Sequence, residues 1–304
     1  MRCISKLSVG VCLLLAGSFG AEAACRVEPR ASVPVTVSDN QPVVAVALNG
    51  QDTPLLLDTG AGRSLLTAAA VQRAGLPLDE WVSTPLRGAG NRLEDRRNVM
   101  LRSMALGGLA LQRRGLAQSI SLPVTAQRLD ASGRIAGLLG ADMLSRYDLD
   151  LDFPGGRMTL YAVTGCAGRF IPWNTPYDTI AARPLPDDGI LVPVLIDGHA
   201  LDAQLDTGSE VSLIDARGLH RLGLTPEAIA HEPATQGLGI GGAFLEHRHQ
   251  FAELRIGTLR IAAPAIRVAA LPRPSVDMLL GMDVLGSRRI WISYATAQVF
   301  IAGP

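Results

Sequence analysis

One short segment occurs twice in this chain, and both times an apolar run ends in Asp-Thr-Gly. Leu55-Leu56-Leu57-Asp58-Thr59-Gly60-Ala61 returns 148 residues later as Ala203-Gln204-Leu205-Asp206-Thr207-Gly208-Ser209. One such tripeptide is read most simply as a turn, with the Asp accepting local backbone hydrogen bonds. Two copies inside matching flanks require a fold built from two equivalent halves. Asn49-Gly50 and Asp197-Gly198 each begin nine residues ahead of their aspartate and predict tight hairpins that need positive φ. Beyond the aspartates, Thr67, Arg73, Gly75 and Leu76 match Asp215, Arg221, Gly223 and Leu224 at the same offset. That stretch predicts a short helix with a Thr or Asp N-cap and a glycine stop. The repeated unit is therefore strand, hairpin, strand, Asp-Thr-Gly turn and short helix.

The paired motifs resemble those of retropepsin-type aspartic proteases, with two halves joined in one chain as in the pepsin arrangement. Gly237-Leu238-Gly239-Ile240-Gly241-Gly242-Ala243-Phe244 is similar to the glycine-rich flap of that family. Leu138-Leu139-Gly140-Ala141-Asp142 and Leu279-Leu280-Gly281-Met282-Asp283 resemble its late apolar-apolar-Gly segment, read here as scaffold packed on the catalytic loop. The resemblance implies an all-β, bilobal acid-protease fold with short helices, two pseudo-symmetric barrels and a cleft between them. It also implies an aspartic endopeptidase without cofactor or metal, acting as a monomer on an extended polypeptide.

The chemistry agrees with the residues. Hydrolysis of an amide without a metal or covalent intermediate needs a water deprotonated as it attacks and a carbonyl oxygen protonated in the same event. Two carboxylates sharing one proton supply both, because like charges that close cannot both ionise. Asp58 and Asp206 are the candidates, supported by Thr59, Gly60, Thr207, Gly208 and Ser209; the resemblance implies that the two Thr hydroxyls brace the loops across each other. Ser209 stands where the first copy has Ala61. A hydroxyl donated to Asp206 would favour its charged form and leave Asp58 the proton carrier. The candidate flaps are Gly239, Ile240, Gly241 and Gly242 in the second half and the shorter Gly88, Ala89 and Gly90 in the first, so unequal flaps are expected.

The rest of the chain sets bounds. Arg2 and Lys6, an apolar run from Leu7 to Gly20 and Ala21-Glu22-Ala23 read as an export signal over 1–23, too short to span a bilayer. A periplasmic or secreted protein is expected. Signal removal leaves Cys25 and Cys166, which suggest one disulfide, with two free thiols as the alternative. The balance of 28 basic and 28 acidic residues argues against nucleic-acid or anionic-membrane partners. The five histidines show no zinc-site spacing, and His247-Arg248-His249 reads as a solvated strand edge. Short β-prone runs fill Pro42 to Leu48, Thr53 to Leu57, Met104 to Leu111, Asp148 to Phe153 and Met158 to Ala162. The expected organisation is a first lobe over 24–164, a proline-rich linker over 165–188 and a second lobe over 189–304. An insertion around Gly115 to Arg134 makes a surface loop or cleft wall. The competing function is a silent peptide-binding envelope protein that uses the same cleft.

Overall fold

A computed structural model describes residues 24–90, 92–111, 120–269, 271 and 275–303. The expected signal over 1–23, part of the expected insertion and Asn91 of the first flap lie outside the described residues.

Each half is built on a long hairpin. Gln41–Leu48 pairs with Gln51–Leu57, and Ile190–Ile196 pairs with His199–Leu205. Asn49, Gly50, Asp197 and Gly198 all take positive φ, between 48° and 86°, as a two-residue turn matched to strand twist demands. The Asn49 side chain also accepts the N–H groups of Arg102 and Ser103, and Asp197 accepts those of Ala252 and Glu253. Each turn thereby anchors the next hairpin, Met104–Leu106 with Leu109–Ala110 in one half and Glu253–Ile256 with Leu259–Ala262 in the other.

The last three residues of the strand leading to each Asp-Thr-Gly are all buried, so both faces are covered there. Gln51–Leu57 runs parallel to Gly137–Leu139, and His199–Leu205 runs parallel to Met278–Leu280. Each of these late strands also pairs antiparallel with the strand that leaves the turn, Leu65–Thr67 or Leu213–Ile214. The late Leu-Leu-Gly segment is thus wedged between the two arms of the loop. Leu55, Leu57, Leu139, Leu205 and Leu280 are buried there, which holds the backbone beside each aspartate against a packed core. The helices Ala68–Arg73 and Ala216–Arg221 follow, capped by Thr67 and Asp215 and ended before the left-handed Gly75 and Gly223.

The halves join through one six-stranded sheet. Arg26–Pro34, Arg157–Thr164 and Asp148–Asp152 come from the first half; Arg289–Ser293, Gln298–Ala302 and Tyr177–Ala181 come from the second. The junction is the antiparallel pairing of Leu149–Asp152 with Arg289–Ile292. The fold is the β-rich, bilobal acid-protease fold with short helices. The proline-rich segment 165–188 is no plain spacer: Tyr177–Ala181 edges the joining sheet, Arg183–Pro184 pairs with Ile190 and Leu191, and Ile171 and Trp173 are buried.

Cys25 and Cys166 form a disulfide across 141 residues of sequence, which decides between the two states left open for them. The bond ties the start of the first described strand to the segment that leaves the first lobe. Closing so long a loop restricts the unfolded chain, so Cys25→Ser is expected to lower stability by about 2–4 kcal/mol, read by chemical denaturation. An unchanged midpoint would show that the neighbouring strand pairing already fixes this end.

Candidate active site

Asp58 and Asp206 meet at the centre of the cleft between the lobes, each 9% exposed. Their backbone N–H groups donate to Leu139 and Leu280, both at 3.0 Å, so the late strands set the height of each aspartate. Asp58 Oδ1 accepts N–H bonds from Gly60 at 3.0 Å and Ala61 at 2.8 Å, and Asp206 Oδ1 accepts one from Gly208 at 3.0 Å. The loops need glycine for closeness rather than for φ. A Cβ on Gly60 would overlap the Asp206 carboxylate, and one on Gly208 would overlap that of Asp58.

The threonines brace the loops reciprocally. Thr59 Oγ1 donates to the Leu205 carbonyl at 2.9 Å and accepts the Thr207 N–H at 3.2 Å; Thr207 Oγ1 donates to Leu57 at 2.7 Å and accepts the Thr59 N–H at 3.1 Å. Four buried bonds across the pseudo-two-fold axis leave little freedom in the carboxyl separation. Burial pushes the Asp58 carboxyl well above the usual carboxylate range, and the charge of Asp206 adds to the push. The Ala61 and Gly60 N–H groups oppose both. Asp58 therefore holds a proton at pH values where an ordinary carboxyl is ionised.

Ser209 departs from the sequence reading. The Ser209 hydroxyl donates to the Val211 carbonyl at 2.7 Å, so its proton is committed to the main chain instead of Asp206. Two other serines proved important. Ser64 Oγ donates to Asp142 Oδ1 at 2.7 Å and accepts the Gly140 N–H at 2.9 Å; Ser212 repeats this with Asp283 at 2.7 Å and Gly281 at 3.0 Å. These bonds lock each Leu-Leu-Gly-x-Asp segment to its Asp-Thr-Gly loop. Both serines share the 148-residue offset, and both acids stand two residues past the late glycine, which was the available signal.

The flaps differ as their sequences differ. Ala234–Gly239 and Gly242–Gln250 form a full hairpin turning at Ile240-Gly241, whereas the described residues of the first flap are joined by the isolated Leu86–Glu94 bridge. The tips engage each other: Gly90 N donates to the Ile240 carbonyl at 3.0 Å, and Arg92 N donates to Gly241 at 3.2 Å. Gly88, Ala89, Gly239 and Ile240 line the cleft, while Gly90, Gly241 and Gly242 form the tip contact. The space below is about 2020 Å³ and holds both aspartates. Its walls include two apolar clusters, one with Leu56, Leu65, Leu86, Ile135 and Leu138, the other with Leu213, Leu271, Val276, Leu279 and Phe244. Gln127 to Arg134 of the first-half insertion form part of the wall.

His247 and His249 depart from the sequence reading. Both are half-buried, with His247 Nδ1 at 3.2 Å from the Glu232 carbonyl and His249 Nδ1 at 2.6 Å from Glu232 Oε1. Among the described residues no cluster of His, Cys, Asp or Glu is placed to hold a metal ion, and no helix is long and apolar enough to cross a membrane.

The aspartyl protease family model matches residues 44–143 and 192–284, once in each half and over more than half of the chain. The chain belongs to the aspartyl protease family. Each match contains one Asp-Thr-Gly and one late Leu-Leu-Gly, so the family pattern is present twice. Among solved structures, basic 7S globulin from soybean aligns over 91% of this chain and 95% of its own, at 10% identity and a TM-score of 0.48. No curated protein matches significantly.

Proposed function

We propose that this aspartyl protease family member is an active endopeptidase that hydrolyses extended polypeptides through Asp58 and Asp206. The observation that carries the reading is the dyad itself: two buried carboxyl groups in mutual contact on cross-braced loops, with Asp58 favoured as the proton carrier. A water held between them would lose a proton to the Asp206 carboxylate as its oxygen attacks the peptide carbonyl carbon. Asp58 would give its proton to the carbonyl oxygen, producing a neutral gem-diol. Collapse would return one diol proton to Asp58, pass the proton on Asp206 to the leaving nitrogen and break the C–N bond.

The flaps support an extended substrate. Their glycine-rich strands roof the cleft with main-chain groups, and closure over a bound chain would exclude water. The disulfide and the signal-like sequence before Ala24 support a periplasmic or secreted location.

The test is hydrolysis of a diverse peptide library from pH 3 to 8, with and without a statine-type transition-state mimic. Cleavage inside the peptides, blocked by the mimic, is the expected result. A folded protein that binds peptides but cleaves none at any pH would replace this reading with that of a silent peptide-binding protein.

A further inference from the structure

The two Asp-Thr-Gly loops share their triplet and their Thr braces, but the strands that lead to them differ in one buried polar residue. Gln204 stands two residues before Asp206, where the first half has Leu56. It is 3% exposed, and its Nε2 donates across the lobe boundary to the Gly60 carbonyl at 3.0 Å. That carbonyl and the Ala61 N–H belong to one planar peptide unit. The same Ala61 N–H donates to Asp58 Oδ1 at 2.8 Å. An unbroken chain therefore runs from the Gln204 amide through one peptide group to the Asp58 carboxylate. Donation to a carbonyl polarises its peptide group and strengthens the N–H at the other end.

Room for the amide is built in. A Cβ on Gly189 would lie 2.7 Å from Gln204 Nε2, and Gly189 is not among the positive-φ glycines, so space rather than backbone conformation requires glycine there. Leu56, at the matching position of the first half, is apolar and packs with Leu65, Leu86, Ile135 and Leu138. It has no donor to offer the second loop.

We propose that Gln204 is a positioning residue of the dyad, orienting and polarising the Gly60–Ala61 peptide so that Asp58 receives a strengthened N–H donor and can release its proton despite its burial. The proposal rests on the dyad reading above. Asp206 is the titratable group that faces Asp58 from the other lobe; Asp187 flanks the amide and accepts the Gly189 N–H at 3.4 Å. A stronger N–H donor favours the charged carboxylate. Gln204 thus opposes the effect of burial on Asp58, and without it Asp58 keeps its proton to higher pH.

The experiment is a ¹³C NMR titration of the Asp58 carboxyl in the wild type, Gln204→Leu, the volume-matched Gln204→Met and Gly189→Ala, which crowds the amide without changing it. All three variants are expected to raise the Asp58 midpoint by about half a unit or more. The basic limb of the kcat/KM profile should rise with it. A midpoint unmoved in folded Gln204→Leu and Gln204→Met overturns the proposal, even if turnover falls. Should those variants fail to fold, the wild type still decides: a trans-hydrogen-bond coupling between the Gln204 side-chain nitrogen and the Gly60 carbonyl carbon is expected, and its absence is disproof. The titration needs no turnover, so a wild type that cleaves nothing would count against the catalytic reading alone.

Discussion

Asp58→Asn and Asp206→Asn are each expected to reduce kcat by at least about a thousandfold, as removal of one member of a concerted catalytic unit does. Both substitutions keep the shape of the site. In Asp58→Asn the introduced amide oxygen could still accept the Gly60 and Ala61 N–H groups that the native carboxylate accepts. What is lost is the exchangeable proton or the negative charge, so a retained affinity for a statine-type mimic with no cleavage would separate chemistry from binding. Stability should move the other way. The Asp58 carboxyl is raised above its unfolded value by burial and by Asp206. Such a group opposes folding once the pH exceeds the unfolded pKa, and the cost grows until the pH passes the folded pKa. Asp58→Asn removes that cost, so its melting temperature should exceed that of the wild type at neutral pH and match it below about pH 4, the unfolded carboxylate range. Equal melting at neutral pH would show that the dyad is not under electrostatic strain.

The largest stability loss is expected from Arg289→Met. Asp150 is buried in the joining sheet and accepts both arms of the Arg289 guanidinium, at 2.9 and 2.7 Å, as well as the Trp173 indole N–H at 3.3 Å. Arg289 also stacks over the Trp173 ring, 4.8 Å from its centroid. The hydrogen bonds to Asp150 raise the Arg289 pKa further, so the guanidinium stays charged. Methionine would keep much of the packing but leave the buried carboxylate without its cation. Breaking a fully buried pair costs about 3–5 kcal/mol, and with the Arg289 side chain 37% exposed the low end of that range is expected. Because the pair sits where the lobes join, the loss should appear in the unfolding midpoint of the whole molecule. A double variant, Arg289→Met with Asp150→Leu, should recover much of it. A single variant within about 1 kcal/mol of wild type would place the pair among weak surface bridges.

What the sequence revealed was whatever is encoded locally or repeated. Asn49-Gly50 and Asp197-Gly198 announce their turns because few residue pairs tolerate two successive positive φ angles. Thr67 and Asp215 announce helix starts because an N-cap is a local bond. The dyad was legible because its triplet recurs at fixed offset. The Ser64–Asp142 and Ser212–Asp283 bonds were missed because their partners lie 78 and 71 residues apart and neither member is unusual alone. Tyr177–Ala181 was hidden among prolines: its strand character comes from the far edge of Gln298–Ala302, not from its own pattern. Ser209 misled because the Asp206 carboxylate, three residues before it, is not where its hydroxyl finds an acceptor. Gln204 drew no reading from the sequence, because its meaning appears only when the other lobe brings Gly60 to it.

The pairing of Leu149–Asp152 with Arg289–Ile292 gives each half three strands of one sheet and one aspartate of one site. A chain cut in two near residue 168 would therefore yield fragments that each carry half of the candidate site. Neither would hold the Asp58–Asp206 pair alone. Recovery on mixing would be second order in fragments, with the Cys25–Cys166 bond, whose two cysteines would lie on the same fragment, leaving reassembly to the strand edges.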